Sequence, residues 1–242
     1  MKDRSHRVRQ GASSFGVTGP EMEARRTGRL ATTEVLKRER TPLSVVHITE
    51  KANETAERAL AQAITTKAPA VPSACQVGCA WCCYKTVGSA APEVLRIADY
   101  LRTHLSPEAL EATLDRVIRL DEERRLAHPD KRSKARPCSL LKDNQCIAYP
   151  VRPLTCRGFN SSDARKCEMS LDPHNKVVVP AYLPQQRLYT LVLDGVRSGL
   201  SESGLSGELL ELTRALRIAL TSVEAMTKWL AGQNVFATAR LD

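Results

Sequence analysis

The chain has 242 residues and a formal net charge of +9, with 42% hydrophobic but only 4% aromatic residues. Leu and Ala supply most of the apolar surface, which favours a mainly α-helical fold over a sandwich of strands. No apolar run approaches the roughly 18 residues a bilayer span needs. The basic start, MKDRSHRVRQ, leads into no hydrophobic signal stretch. The expected compartment is therefore the cytosol, with no membrane partner.

The positive charge is unevenly spread. The first 40 residues hold ten Lys or Arg against five acids, and a second basic patch, KRSKAR, precedes Cys138. A solvated tail beside a basic loop explains this better than a nucleic-acid surface, so nucleic acid is not the expected partner. Residues 1–40 read as a basic tail, disordered or weakly helical, and 41–242 as a single helical domain. Residues 21–40 could form a polar helix, but no apolar stripe demands one.

The first clear helix is expected at about 46–65, where Ala52, Ala56, Ala59, Leu60 and Ala63 recur at helical spacing. KAPAVPS then stops it. Beyond Cys83, Ser89 is a candidate cap for a helix with Pro92 and Glu93 in its first turn and Val94, Ile97, Ala98 and Leu101 on one face. Ser106-Pro107-Glu108 opens another, which His128-Pro129-Asp130 ends. The stretch 137–182, with five prolines, reads as loops folded around a site, its one strand candidate being Lys176 to Val179. Two helices close the chain, at about 184–199 and about 205–231. The second carries a long stripe of Leu205, Leu209, Leu212, Leu216, Leu220 and Val223, with Met226 and Trp229 expected in the core.

The chemistry lies in the thiols. CQVGCAWCC places Cys75, Cys79, Cys82 and Cys83 within nine residues; Cys138, Cys146, Cys156 and Cys167 follow. These are all eight cysteines of the chain, and scattered core thiols would not cluster so. Under reducing conditions they point to metal ligation rather than disulfides. Gly78 can take the positive φ that a bend in the first block needs. Cys82 and Cys83, being adjacent, leave the backbone in different directions and need not serve one ion. A tetrahedral zinc takes four ligands and a four-iron cluster also takes four thiolates. Eight thiols thus allow two zinc sites, one iron–sulfur cluster with spare thiols, or one metal with buried cysteines. Arg152 and Arg157 flank Cys156 and could offset thiolate charge or donate to sulfur. Pro150 and Pro153 would stiffen that loop, while Tyr149 and Phe159 suit apolar cover. Asp143 suits a turn before Cys146. The five histidines have no paired ligand spacing; His128 and His174 fall in loops near the thiols. There is no phosphate loop, HExxH or GxSxG.

The order Cys75, Cys79, Cys82, Cys83, then Pro137-Cys138, Leu141, Cys146, Tyr149, Arg152-Pro153, Cys156-Arg157 and Phe159 resembles the YkgJ-type cysteine-cluster family, over about residues 70–170. The resemblance implies chelation of zinc or iron by the cysteines but assigns no reaction. Flagellin lysine methylases carry a similar cysteine pattern. Three classes therefore stand: a metal-chelating protein, an iron–sulfur enzyme or electron-transfer protein with a methyl-transfer variant, and a metal-stabilised interaction module.

Overall fold

The computed structural model describes residues 19–126 and 135–241. The chain is mainly helical there. Helix α1 spans Gly19–Arg38, α2 Pro42–Thr66, α3 Ala91–His104 and α4 Pro107–Leu126. Short helices α5 (Leu154–Gly158) and α6 (Ala164–Met169) follow, then α7 (Leu183–Glu202), α8 (Leu212–Thr221) and α9 (Ala225–Leu230). Two small antiparallel ribbons complete it. Strand β1 (Gly88–Ser89) pairs with β4 (Leu210–Glu211), and β2 (Leu141–Lys142) pairs with β3 (Gln145–Cys146).

Local chemistry sets the helix boundaries. Pro42 and Pro92 fall in the first turns of α2 and α3, where a missing N–H costs nothing. Ser106 Oγ accepts from the Ala109 N–H and starts α4 as its sequence implies. The expected stop at 128–130 lies outside the described residues. At α3 the cap is not Ser89, which is buried in β1. Glu93 instead reaches back to the Ala90 N–H at 2.8 Å.

The core is built from Val94, Ile97 and Leu101 of α3, Val192, Val196 and Leu200 of α7, and Leu216 of α8, all buried. Trp229 is also buried, and Met226 packs partly buried against this cluster.

Two further expectations change. The segment 205–231 is not one helix: Leu210 and Glu211 are drawn into the ribbon with β1, and α8 begins only afterwards. The Glu211 carboxylate accepts from the Thr213 and Arg214 N–H groups, so a cap interrupts what the leucine stripe suggested was continuous. Ser222 is extended and breaks the helix again before α9. Lys176 to Val179 form no strand, since no neighbouring chain pairs with them there.

The N-terminal segment carries the polar helix that the sequence allowed but did not demand. Residues 1–18 lie outside the described residues, but 19–38 form α1, which packs along α7. The contact runs through small residues rather than a leucine stripe. Gly28 lies against Val192, Gly195 against the Arg25 carbonyl, and Gly199 against Thr32 and the Arg29 carbonyl. Backbone-to-backbone packing of this kind leaves no apolar periodicity to read.

Candidate metal centre

The first thiol block bends at Gly78, whose φ of +87° is the left-handed conformation that glycine adopts without a Cβ penalty. The Cys79 N–H closes that turn on the Gln76 carbonyl at 3.0 Å. Trp81–Tyr84 then forms a single 3-10 turn carrying Cys82 and Cys83. The two thiol blocks are stitched by the backbone, because the Cys138 N–H donates to the Cys83 carbonyl at 2.7 Å.

Cys146 lies in a hairpin, and Cys138 stands just ahead of it, its carbonyl accepting from the Leu141 N–H at 2.9 Å. Leu141 pairs with Cys146 across β2 and β3, and Asp143 and Asn144 make the turn with φ of 51° and 57°. Two successive positive φ values are the signature of a type I′ turn, which asparagine and aspartate tolerate. Cys156 is placed by α5. The Leu154 N–H at its start donates to the buried Glu93 carboxylate at 2.7 Å, and Thr155 Oγ1 donates to the Gly88 carbonyl at 2.7 Å. α5 is thereby pinned to α3 and β1 at once.

The result is a cavity of about 350 Å³ lined by Cys79, Cys82, Cys83, Cys138, Cys146 and Cys156. Its other walls are largely apolar, including buried Ile97, Leu140 and Leu212, with Val77, Tyr149 and Phe159 at the exposed edge. Cys75 and Cys167 do not line it. They stand beside it, where Cys75 Sγ lies 3.9 Å from the Ser161 carbonyl and the Ser161 side chain bonds the Cys167 thiol.

Electrostatics separate the thiols. A hydrogen bond from Cys83 holds Cys82 down to about 6 against the opposing effect of burial, with help from Arg152 and Lys85. Donating that bond, together with burial, pushes Cys83 up. Burial pushes Cys138 up to about 11 and raises Cys146, Cys156 and Cys167 as well. Without a cation these sites favour the neutral thiol; a bound metal would favour the thiolate, since the thiolate is the ligating form. Among the described residues no group of three or more His, Cys, Asp or Glu side chains stands close enough together to hold a metal ion as arranged. The donor chemistry nonetheless fits zinc or iron, because six soft sulfur donors line one space and no carboxylate does.

The two arginines part ways. Arg152 lines the cavity, stacks over Tyr149 at 3.9 Å and lowers the pKa of both Cys82 and Cys146 by its charge. Arg157 turns to the backbone, donating to the Arg152 and Pro150 carbonyls and pairing with Glu57. It stiffens the loop around Cys156 rather than facing sulfur. His174 sits in a turn with its N–H on Asp172, away from the cavity, and His128 lies outside the described residues.

Sequence reasoning missed Glu93 and Ser161 as positioning residues. Glu93 carried a signal, an acid at the first turn of a helix, but its second partner lies 61 residues on. Ser161 carried none.

Residues 74–175 match the model of the CxxCxxCC family, described as "Putative zinc- or iron-chelating domain". No curated protein and no solved structure matches the chain. No helix among the described residues is long and apolar enough to cross a membrane. The match is confined to residues 74–175, the segment that carries the thiol signature of the YkgJ-type cysteine-cluster family.

Proposed function

We propose that this chain is a cytosolic metal-chelating protein in which Cys75, Cys79, Cys82, Cys83, Cys138, Cys146, Cys156 and Cys167 supply the ligands for zinc or iron. The observation that carries this reading is the convergence of six thiols from three separate segments on one cavity. Arg152 contributes positive charge beside Cys82 and Cys146, which offsets the excess negative charge of a thiolate-rich site. Anaerobic purification with elemental analysis and an absorption spectrum tests it. Bound zinc in colourless protein, or bound iron, supports chelation; a metal-free protein that takes up neither ion refutes it.

A second reading has its own support. The cavity is far larger than one ion requires and its walls are mostly apolar, as a small-molecule site would be. That favours an iron–sulfur enzyme or electron-transfer protein over a closed structural site. Brown protein with iron and acid-labile sulfide in equal amounts selects this reading. Iron without sulfide, or zinc alone, excludes the cluster.

A further inference from the structure

The eight thiols do not share one environment. Six line the cavity, while Cys75 and Cys167 stand outside it. Ser161 gathers the outer pair. Its carbonyl accepts from the Ala74 N–H at 2.8 Å and receives Cys75 Sγ, and its side chain reaches Cys167. The same hydroxyl accepts from the Asp163 N–H, and Asp163 caps α6 through the Lys166 N–H at 2.9 Å. α6 carries Cys167 and packs on the turn that holds Cys82. The charges felt at Cys167 are those of Cys75, Cys79 and Cys82.

The inner group is held by different elements. Cys146 rides on β3, Cys138 lies just ahead of β2 with its carbonyl accepting from the Leu141 N–H, Cys156 is on α5, and Cys83 is tied to Cys138 through the backbone. The charges felt at Cys83, besides its neighbour Cys82, are those of Cys138 and Cys146. Successive residues of a 3-10 turn project about 120° apart. Adjacent Cys82 and Cys83 can therefore face different centres.

We propose that the eight thiols hold two metal ions at separate loci, an outer set of Cys75, Cys79, Cys82 and Cys167 and an inner set of Cys83, Cys138, Cys146 and Cys156. The proposal rests on the chelation reading above. Four thiolates complete a tetrahedral structural site, so each set is sufficient for one ion. Cys82 lies at the boundary, its charge felt at Cys146 and Cys156 as well as at Cys167, and it is assigned outward because the inner set is complete without it. Each divalent ion with four thiolates leaves about two negative charges. Arg124 beside Cys138 and Arg152 beside Cys146 offset them within the fold, and Lys85 and Arg152 do so at Cys82.

The test uses the full chain, reduced and stripped of metal under anaerobic conditions, then titrated separately with zinc and with cobalt(II). Native mass spectrometry counts the ions, and the thiolate-to-cobalt charge-transfer band reports sulfur ligation. Two ions are expected for the unaltered chain. The double variant Cys75→Ser/Cys167→Ser should keep one ion and about half of the band, and Cys138→Ser/Cys156→Ser should show the complementary loss. The outer pair is the safer probe, because Cys75 is exposed and its removal leaves the core intact. A single ion in the unaltered chain, or loss of both ions or of neither in the outer variant, overturns the division while leaving chelation standing. No uptake of either metal overturns both.

Discussion

The Glu93 carboxylate joins two helix starts, accepting from the Ala90 N–H at 2.8 Å and from the Leu154 N–H at 2.7 Å. Leu154 lies two residues before Cys156, so a residue of the core helix α3 fixes the loop that carries a thiol. Burial pushes this carboxyl up from 4.5 to about 7, even though the two N–H groups and Arg157 favour its charged form. The folded chain thus holds more protons than the unfolded chain between those values. Stability from this group is complete below about pH 4.5 and is lost as pH rises to about 7, by roughly 3 kcal/mol. Glu93→Gln replaces one acceptor by a donor that must face an N–H. The variant should lose about 1–3 kcal/mol at pH 5 and little at pH 8, where removing a buried charge compensates. Urea unfolding of both proteins at the two pH values checks this; an equal loss at both would show that the titration is not Glu93's.

Gly195 offers a test of the N-terminal packing. A Cβ there would fall against the Arg25 carbonyl, with the Arg29 nitrogen at 3.0 Å, and backbone cannot swing away as a side chain could. Gly195→Ala should destabilise the chain by about 1–3 kcal/mol despite the better helix propensity of alanine. Gly19→Ala meets nothing within 4 Å and serves as the control. Equal melting temperatures for the two variants would mean that α1 does not rest on α7 in solution.

This contact also shows where the sequence was legible and where it was not. α4 and α7 follow from apolar spacing and from Ser106 and Pro184 at or before their first turns, and α2 from its alanine spacing, all local signals, although α2 begins at Pro42 rather than near residue 46. The Asp143–Asn144 turn and the Gly78 bend were equally local, and both adopt the positive φ expected of such residues. α1 was legible only as a possible polar helix, because its buried face runs through Glu21, Ala24, Gly28 and Thr32 and turns hydrophobic only at Val35 and Leu36. The leucines from 205 to 223 misled for the opposite reason: a β1–β4 pairing 120 residues apart and the Glu211 cap override their periodicity. At the site, the thiols were visible as residues, but their grouping around Ser161 and the cavity depends on contacts that no spacing encodes.

Metal removal should loosen the segments that the thiols join. The two blocks lie tens of residues apart, and the hairpin, α5 and the 3-10 turn share few direct backbone links beyond Cys138 to Cys83. A metal present at a hundredfold excess over its Kd stabilises the fold by about 3 kcal/mol. For a chain of this size that raises Tm by roughly 5–10 °C. Differential scanning calorimetry of loaded and chelator-stripped protein measures it. An unchanged melting curve after metal removal verified by elemental analysis would uncouple the thiols from the fold.

The hairpin turn gives the last test, because it sets how Cys138 and Cys146 face the cavity. Asn144 holds φ at 57° directly after Asp143 at 51°, the pair of left-handed residues that a type I′ turn requires. Asparagine tolerates this conformation, but glycine at the second position removes the Cβ crowding altogether. Asn144→Gly should therefore raise stability slightly, by up to about 1 kcal/mol, without altering metal stoichiometry. Asn144→Val places a β-branched side chain at a positive φ that strongly disfavours it, at a cost on the order of 1–3 kcal/mol. Because the strain falls within the β2–β3 hairpin, the valine variant should also weaken zinc binding relative to the glycine variant. Paired zinc titrations and thermal melts separate the effects. Matching affinities in the two variants, with the valine protein less stable, would mean that the turn serves the fold but does not position Cys146 for ligation.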